Sequence, residues 1–308
     1  MGTGRESPGA ATTLLSTQDG EALTPQLARP GRWERSLRRA TGRESGEADV
    51  TRARLAVMLA AGLLAAATVS IAWADDDDPT AWHVTIAPYV WATGLHGDVT
   101  VRGRNAELDA TFLDILEDTD TLVGFQGHLE VTRGRWGAYG DFFYVKAKVE
   151  DAGPTGLDVT SRMWFVDLGA QYRILDTTTD RVPGLTLDVY AGGRYSLLEV
   201  DLESPGAPSL NREVHWVDPI VGARVGVHFS EHAFLLFAGD VGGFGVGSDF
   251  AWSITGLFGY RWRAAGLEWA VLAGYKALTQ DYTTGSGARR FRWDTTMHGP
   301  ILGLSIGF

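Results

Sequence analysis

From about Trp82 to Phe308, apolar and polar residues alternate in long stretches separated by turn residues. Residues 212–229 read REVHWVDPIVGARVGVHF and place Val217, Val221, Ala223, Val225, Val227 and Phe229 on one face. Leu185, Leu187, Val189, Ala191, Tyr195 and Leu197 share a face in the same way, as do Pro300, Leu302, Leu304, Ile306 and Phe308. A two-residue period is that of a strand with two unlike faces. Stretches this long exceed the ~5–6 residues usual in soluble sheets and meet the ~9–11 that a tilted bilayer crossing needs. The pattern predicts an all-β fold, a transmembrane antiparallel up-and-down β-barrel.

Ten crossings are expected, at about 82–93, 121–133, 136–148, 157–173, 185–201, 213–229, 232–243, 250–263, 267–278 and 291–308. Their connections alternate in length. Gly134-Arg135, Ser230-Glu231 and Ala264-Ala265-Gly266 are tight, whereas 149–156, 202–212, 244–249 and 279–290 are mostly longer and richer in Gly, Pro and charge. Short turns face the periplasm and long loops face outside in such barrels, with 174–184 the one long exception. Residues 94–120 do not fit a crossing. They predict a small insert on the outer side, folded towards the lumen: a hairpin around Gly103-Arg104, then one or two helical turns capped by Thr111. If that hairpin spans, the count becomes twelve.

Upstream of Trp82 the pattern changes. The run LAVMLAAGLLAAA from Leu55 to Ala67 follows Arg52 and Arg54 and precedes Ala72-Trp73-Ala74. Basic, apolar and small-residue regions in that order predict a signal peptide over 50–74, cleaved after Ala74. The rival reading, a membrane anchor, requires a longer run. Residues 75–81 read as an acidic linker. Residues 1–49 have no regular pattern and are expected to be a disordered leader, with a true translation start near Val50 or an extended basic leader as the two explanations.

After Ala74 there are 18 Lys and Arg against 31 Asp and Glu, a net charge of −13. An acidic chain fits nucleic acid poorly. Cysteine is absent, which is compatible with an oxidising compartment. The expected location is the cell outer membrane.

Alternation assigns charged residues to the lumen. Asp167 and Arg173, Asp188 and Arg194, and Asp218 and Arg224 lie six apart on three successive strands. Opposed residues of a hairpin share a constant index sum. One register therefore opposes Asp167 to Arg194 and Arg173 to Asp188, with its centre at Asp180-Arg181. A second opposes Arg194 to Asp218 and Asp188 to Arg224, with its centre at Gly206. The expected result is two rows, Asp167–Arg194–Asp218 and Arg173–Asp188–Arg224. Similar sums place His128 opposite Asp141 and Arg261 opposite Glu268. Each such pair stabilises a sheet by about 0.2–1 kcal/mol. Mutually neutralising charges point to a network that fills a narrow barrel, the alternative being a selectivity element or proton path.

Aromatic residues form two groups. Tyr172, Phe229, Tyr260, Trp262, Trp269 and Phe308 fall near the expected periplasmic ends, and Tyr144, Trp164, Tyr195, Trp252 and Tyr275 near the outer ends. Amphipathic rings favour the headgroup level, so two groups predict two girdles.

The segment Trp82-x5-Pro88-Tyr89-x-Trp91-x2-Gly94-x2-Gly97 resembles a family of uncharacterised proteobacterial outer-membrane β-barrel proteins. Phe112-x-Asp114-Ile115-Leu116, Arg133-Gly134-Arg135-Trp136-Gly137 and Asp240 to Ser248 strengthen the resemblance, which covers about 82–308. It implies the barrel and the outer membrane, and brings no activity or site residues with it.

Catalytic, cofactor and metal residues are not assigned. The glycines around Gly242-Gly243-Phe244-Gly245-Val246-Gly247 precede no helix and read as relief at a bend. A ten-stranded barrel brings an omptin-type rim protease into view, for which His96 with Asp98, His215 with Asp218, and Asp294 with His298 are the candidate pairs. Asp75 to Asp78 read as a solvated leader, with cation binding as the alternative. Lys146 and Arg162 are expected on the lipid face near the outer rim, where lipopolysaccharide phosphates or simple snorkelling would account for them. The expectation is a non-enzymatic, monomeric barrel with a partly plugged, charge-lined lumen, structural or passing small solutes slowly. An open diffusion porin is the alternative and a rim enzyme the second. Partners expected are outer-membrane lipid, lipopolysaccharide and the barrel-assembly machinery through Phe308, and no nucleic acid.

Overall fold

The computed structural model describes residues 81–308, apart from 102–103, 153–156, 179–182 and 204–208. The expected leader, the signal peptide and all but residue 81 of the linker lie outside the described residues. Twelve strands and a short helix follow in chain order: β1 (Trp82–Trp91), β2 (Gly94–Val101), β3 (Arg104–Ala110), α1 (Phe112–Asp118), β4 (Thr121–Arg133), β5 (Trp136–Ala152), β6 (Leu157–Asp176), β7 (Gly184–Glu203), β8 (Leu210–His228), β9 (Ala233–Gly242), β10 (Phe250–Ala264), β11 (Leu267–Thr284) and β12 (Phe291–Gly307). β1 and β4 to β12 form an antiparallel ladder that closes on itself through β1 and β12. The crossing count is therefore ten. Among the described residues no helix is long and apolar enough to cross a membrane.

The insert joins the wall and is not folded into the lumen. β12 pairs with β1 over its second half, Ile301 to Gly307, and with β2 over its first half, Phe291 to His298. β1 and β2 thus share one neighbour, and β3 pairs on the far side of β2. Above Gly127, β4 pairs with β5 but no longer with β1. Gln126 ends the β1–β4 ladder: its carbonyl accepts from the Trp91 amide at 2.7 Å and its NH2 group donates to the Trp91 carbonyl at 3.5 Å. The helix then packs against β2 and β3, with Leu116 buried. Thr111 caps it, accepting from the Asp114 amide while Asp114 accepts from the Thr111 amide.

Turn chemistry fixes register. Ala265 and Gly266 both have positive φ, 53° and 74°, the signature of a two-residue hairpin turn whose twist matches its strands. That turn opposes Arg263, not Arg261, to Glu268, and Arg261 to Ala270. The expected register was two residues off because Ala265 takes a left-handed conformation that its residue type does not announce. Arg261 still reaches Glu268 diagonally, at 3.7 Å.

Polarity inverts along the strands. In the half nearer the tight turns, the outside is apolar, with Leu168, Val189, Val221, Phe237, Phe258, Val271 and Leu302 exposed. The inside of the same half carries charge. In the other half, the outward positions include Arg162, Glu199, Asp201, Arg292 and Asp294, all part-buried in ion pairs, beside exposed apolar residues such as Val123 and Phe250. The inward positions there are Phe143, Phe165, Leu198, Val214, Trp216, Phe291, Trp293 and Met297, which pack as one core with Trp91 and Leu278. The turn-side half is thus built for lipid outside and the distal half for water outside. Strands of 15–20 residues from β5 to β8 and in β10 to β12 supply both, since ~9–11 residues suffice to cross. Rings mark both edges of the apolar band: Trp136 stands edge-on to Tyr172 at 4.8 Å near the turns, and Tyr144 meets Trp164 at 4.3 Å at the distal edge. A closed antiparallel barrel with an apolar outer band is the architecture of an outer-membrane β-barrel.

Candidate functional site

The charges in the turn-side half face inward and meet. Asp167 pairs with Arg194 in register between β6 and β7, and Arg194 places Nε and Nη2 on its two oxygens at 2.9 and 2.7 Å. Asp188 sits between Arg173 and Arg224, accepting at 2.8 Å from one and 2.9 Å from the other. His128 opposes Asp141 between β4 and β5, with Nδ1 3.3 Å from the carboxylate.

Arg194 and Asp218 are register partners without touching. The second acid on Arg194 is Asp240 of β9, at 3.3 Å. Asp218 is instead fully buried under the β9–β10 loop. It accepts from the Ser248 amide and, at 2.8 Å, from its hydroxyl, as well as from Trp216 Nε1 at 3.1 Å and Gln280 Nε2 at 3.2 Å. The expected row Asp167–Arg194–Asp218 is corrected to Asp167–Arg194–Asp240. The cause lies in that loop: Gly243 and Gly245 have positive φ, and Gly247 sits so close that a Cβ would meet Asp218 Oδ1 at 2.6 Å. The glycines let the loop lie close enough for Ser248 to cap the carboxylate.

Further bonds cross the lumen and were not readable from neighbouring strands. Arg224 of β8 donates to Glu130 of β4 at 2.6 Å. Lys276 of β11 donates to Asp141 of β5 at 3.1 Å, and the Tyr89 hydroxyl of β1 donates to the same carboxylate at 2.7 Å. Asp141 and Asp167 face each other in register, an arrangement that repels unless each has its own cation, as Lys276 and Arg194 provide.

Below the core these groups line a cavity of about 1100 Å³. Gly307, Phe308, Ala265, Gly266 and Thr178 lie at its mouth, at the tight-turn end of the barrel, and Tyr139, Tyr190, Arg194, Asp240 and Ser253 lie deep in it. Its aromatic walls are flat by construction. Tyr139 lies over its register partner Gly169 and Tyr190 over Gly222, where an added Cβ would meet the rings at 2.7 and 2.5 Å. Phe234 covers Gly259 in the same manner. Glycine opposite an inward aromatic lets the ring lie along the wall and leaves the centre open.

Beyond the cavity the lumen is filled. Trp216 of β8 stacks on Tyr282 of β11 at 4.3 Å and 7°, and Gln280 of β11 donates to Ser196 of β7 at 2.9 Å. The core residues around them are each 8% exposed or less. The cavity is therefore a vestibule, open at the turn end and blind at the other.

Two of the candidate rim pairs meet on the outer face of β2 and β12, where Asp98 opposes Asp294 in register and His96 stacks on His298 at 4.8 Å, yet neither histidine bonds either aspartate. His96 binds Asp109 at 3.0 Å while Asp98 accepts from Asn105 at 2.8 Å. His215 faces outward and Asp218 inward. Asp294 pairs with Arg292, and His298 bonds the Tyr275 hydroxyl and stacks on His96. Lys146 and Arg162 both point outward, but Arg162 is held by Glu199 and Asp201 at 2.9 and 2.6 Å.

No protein-family model and no curated protein matches the chain. Among solved structures, it is similar to the attachment invasion locus protein Ail of Yersinia pestis, at 13% identity and a TM-score of 0.34, over 74% of this chain and 97% of that one. It is also similar to the outer-membrane protease OmpT of Escherichia coli, at 10% identity and a TM-score of 0.40, over 79% and 100%. The transport unit of the Escherichia coli autotransporter AIDA-I matches at 7% identity and a TM-score of 0.35, over 81% and 96%. The barrel assignment stands on the strand ladder described above.

Proposed function

We propose that this protein is a non-enzymatic outer-membrane barrel, closed to the outside and presenting a polar, blind vestibule to the periplasm. The observation that carries the reading is the apolar core across the distal half of the lumen. Ions pass pores through hydrated, polar constrictions, and a tightly packed aromatic core offers them no shell. The neutralised charge network beneath it supports the same reading, because a diffusion channel gains from segregated charge. His96 and His298 bond Asp109 and the Tyr275 hydroxyl and not their candidate aspartates, which favours a non-enzymatic role over a rim protease. The sequence resemblance to uncharacterised proteobacterial outer-membrane barrels belongs to this reading, as do a monomeric state, lipid and lipopolysaccharide as the surroundings, and recognition of Phe308 by the barrel-assembly machinery.

The test is potassium efflux from loaded liposomes containing the refolded protein. Retention at the level of empty liposomes is expected. Protein-dependent release would favour the porin reading.

A further inference from the structure

β3 ends the sheet. It pairs with β2 along its whole length, from Leu95 opposite Ala110 to Val101 opposite Arg104, and among the described residues no strand pairs with its other edge. Such an edge presents unpaired N–H and C=O groups to any further strand. Asn105, Ala106, Glu107 and Asp109 are exposed. A row of like charge leads to this edge on the outer face of the wall. Asp281 of β11 opposes Asp294 of β12, Asp294 opposes Asp98 of β2, and Asp98 opposes Glu107 of β3. Carboxylates directly opposite one another repel. Arg292 bonds Asp281 and Asp294, and Asn105 donates to Asp98 at 2.8 Å, whereas Glu107 has no ion-pair partner among the described residues.

We propose that the free edge of β3 takes up, as an added strand, an extended segment of a partner protein in which basic and apolar residues alternate. The period of a strand sets that pattern. Glu107 shares its face of β3 with Asn105 and with Asp109, which also bonds His96, while Ala106, Leu108 and Ala110 share the other face. Basic side chains of the incoming strand stand opposite the two acids and continue the row with the charge it lacks, and apolar ones stand opposite Leu108 and its neighbours. Main-chain bonds along the edge supply affinity, and the alternate side chains supply specificity. A second copy of this chain fits badly, because antiparallel pairing of β3 with itself opposes only Asn105, Glu107 and Asp109 to one another on that face. Charge on the edge thus guards against self-pairing and admits a basic strand. The inference concerns the outer wall and is independent of whether the lumen conducts.

The test uses the full refolded chain in zwitterionic detergent and a fluorescent peptide as long as β3, seven residues, alternating lysine and valine. Saturable binding by anisotropy is expected, with amide exchange slowed at residues 105–110. The same peptide with every backbone amide N-methylated keeps its charges but cannot donate to a strand, and is expected not to bind. Glu107→Lys reverses an exposed charge, so the melting temperature is expected to hold while the affinity falls about threefold to tenfold. Four results overturn the proposal: no saturation at millimolar peptide; equal binding of the N-methylated peptide, or of one with its lysines and valines in two blocks, which is charge adsorption only; equal affinity in wild type and Glu107→Lys; or a peptide-free dimer in sedimentation with β3 protected from exchange, which gives the edge to a second copy.

Discussion

Arg194 of β7 bonds Asp240 of β9 at 3.3 Å, passing over the whole width of β8. The Tyr190 ring lies over Gly222, the register partner of both Tyr190 and Asp240, and its hydroxyl reaches the same carboxylate at 3.4 Å. Arg194 is 2% exposed, and its guanidinium holds two carboxylates, Asp167 and Asp240. Removing it alone strands two buried charges. Arg194→Met is expected to destabilise the barrel by about 3–5 kcal/mol, whereas replacing Arg194, Asp167 and Asp240 together by neutral residues of similar volume is expected to cost far less. Urea unfolding in liposomes, followed by tryptophan fluorescence, measures both.

Asp218 anchors the β9–β10 loop through Ser248. Asp218→Ala leaves the Ser248 amide, Trp216 Nε1 and one Gln280 donor without their acceptor, each of which costs about 1–3 kcal/mol if it stays buried. Amide exchange at residues 243–249 is expected to accelerate while exchange in β6 and β7 holds. Unchanged protection at Ser248 would contradict the anchoring role.

Gly222 is required by the ring that covers it. In Gly222→Val the side chain would occupy the place of the Tyr190 ring and push it into the vestibule. A loss of about 1–3 kcal/mol is expected from overpacking, partly restored when Tyr190→Ala is added. A double-mutant cycle on thermal unfolding reads the coupling.

Gln126 stands in for a missing strand neighbour where β1 leaves β4. Gln126→Leu keeps the volume but orphans the Trp91 amide, and about 1–3 kcal/mol of destabilisation is expected, with faster exchange of the Trp91 amide as the local sign.

The lipid-facing half was legible because its two faces differ. Leu185 to Leu197 alternates against Asp188 and Arg194, and a one-residue slip would turn those charges towards lipid, at about 2–4 kcal/mol for an Arg near the midplane. The same alternation placed Asp188 and Arg224 opposite each other. The distal half was not legible. There Val214 and Trp216 face in while His215 and Val217 face out, and aromatics on both faces leave no contrast to read. Glu130, Asp240 and Lys276 were missed for another reason: index sums reach only adjacent strands, and these side chains bond across the lumen or past an intervening strand. No sequence signal marks such pairs until the barrel is closed. The Arg261 register failed on one residue, Ala265, whose positive φ belongs to the turn and not to its residue type.

The closed distal lumen is tested most directly by single-channel recording of the refolded protein in planar bilayers. The account predicts no stable ohmic conductance at either polarity, because the core of Trp91, Phe143, Trp216 and Trp293 blocks the path. Reproducible open steps from the wild-type protein would contradict it.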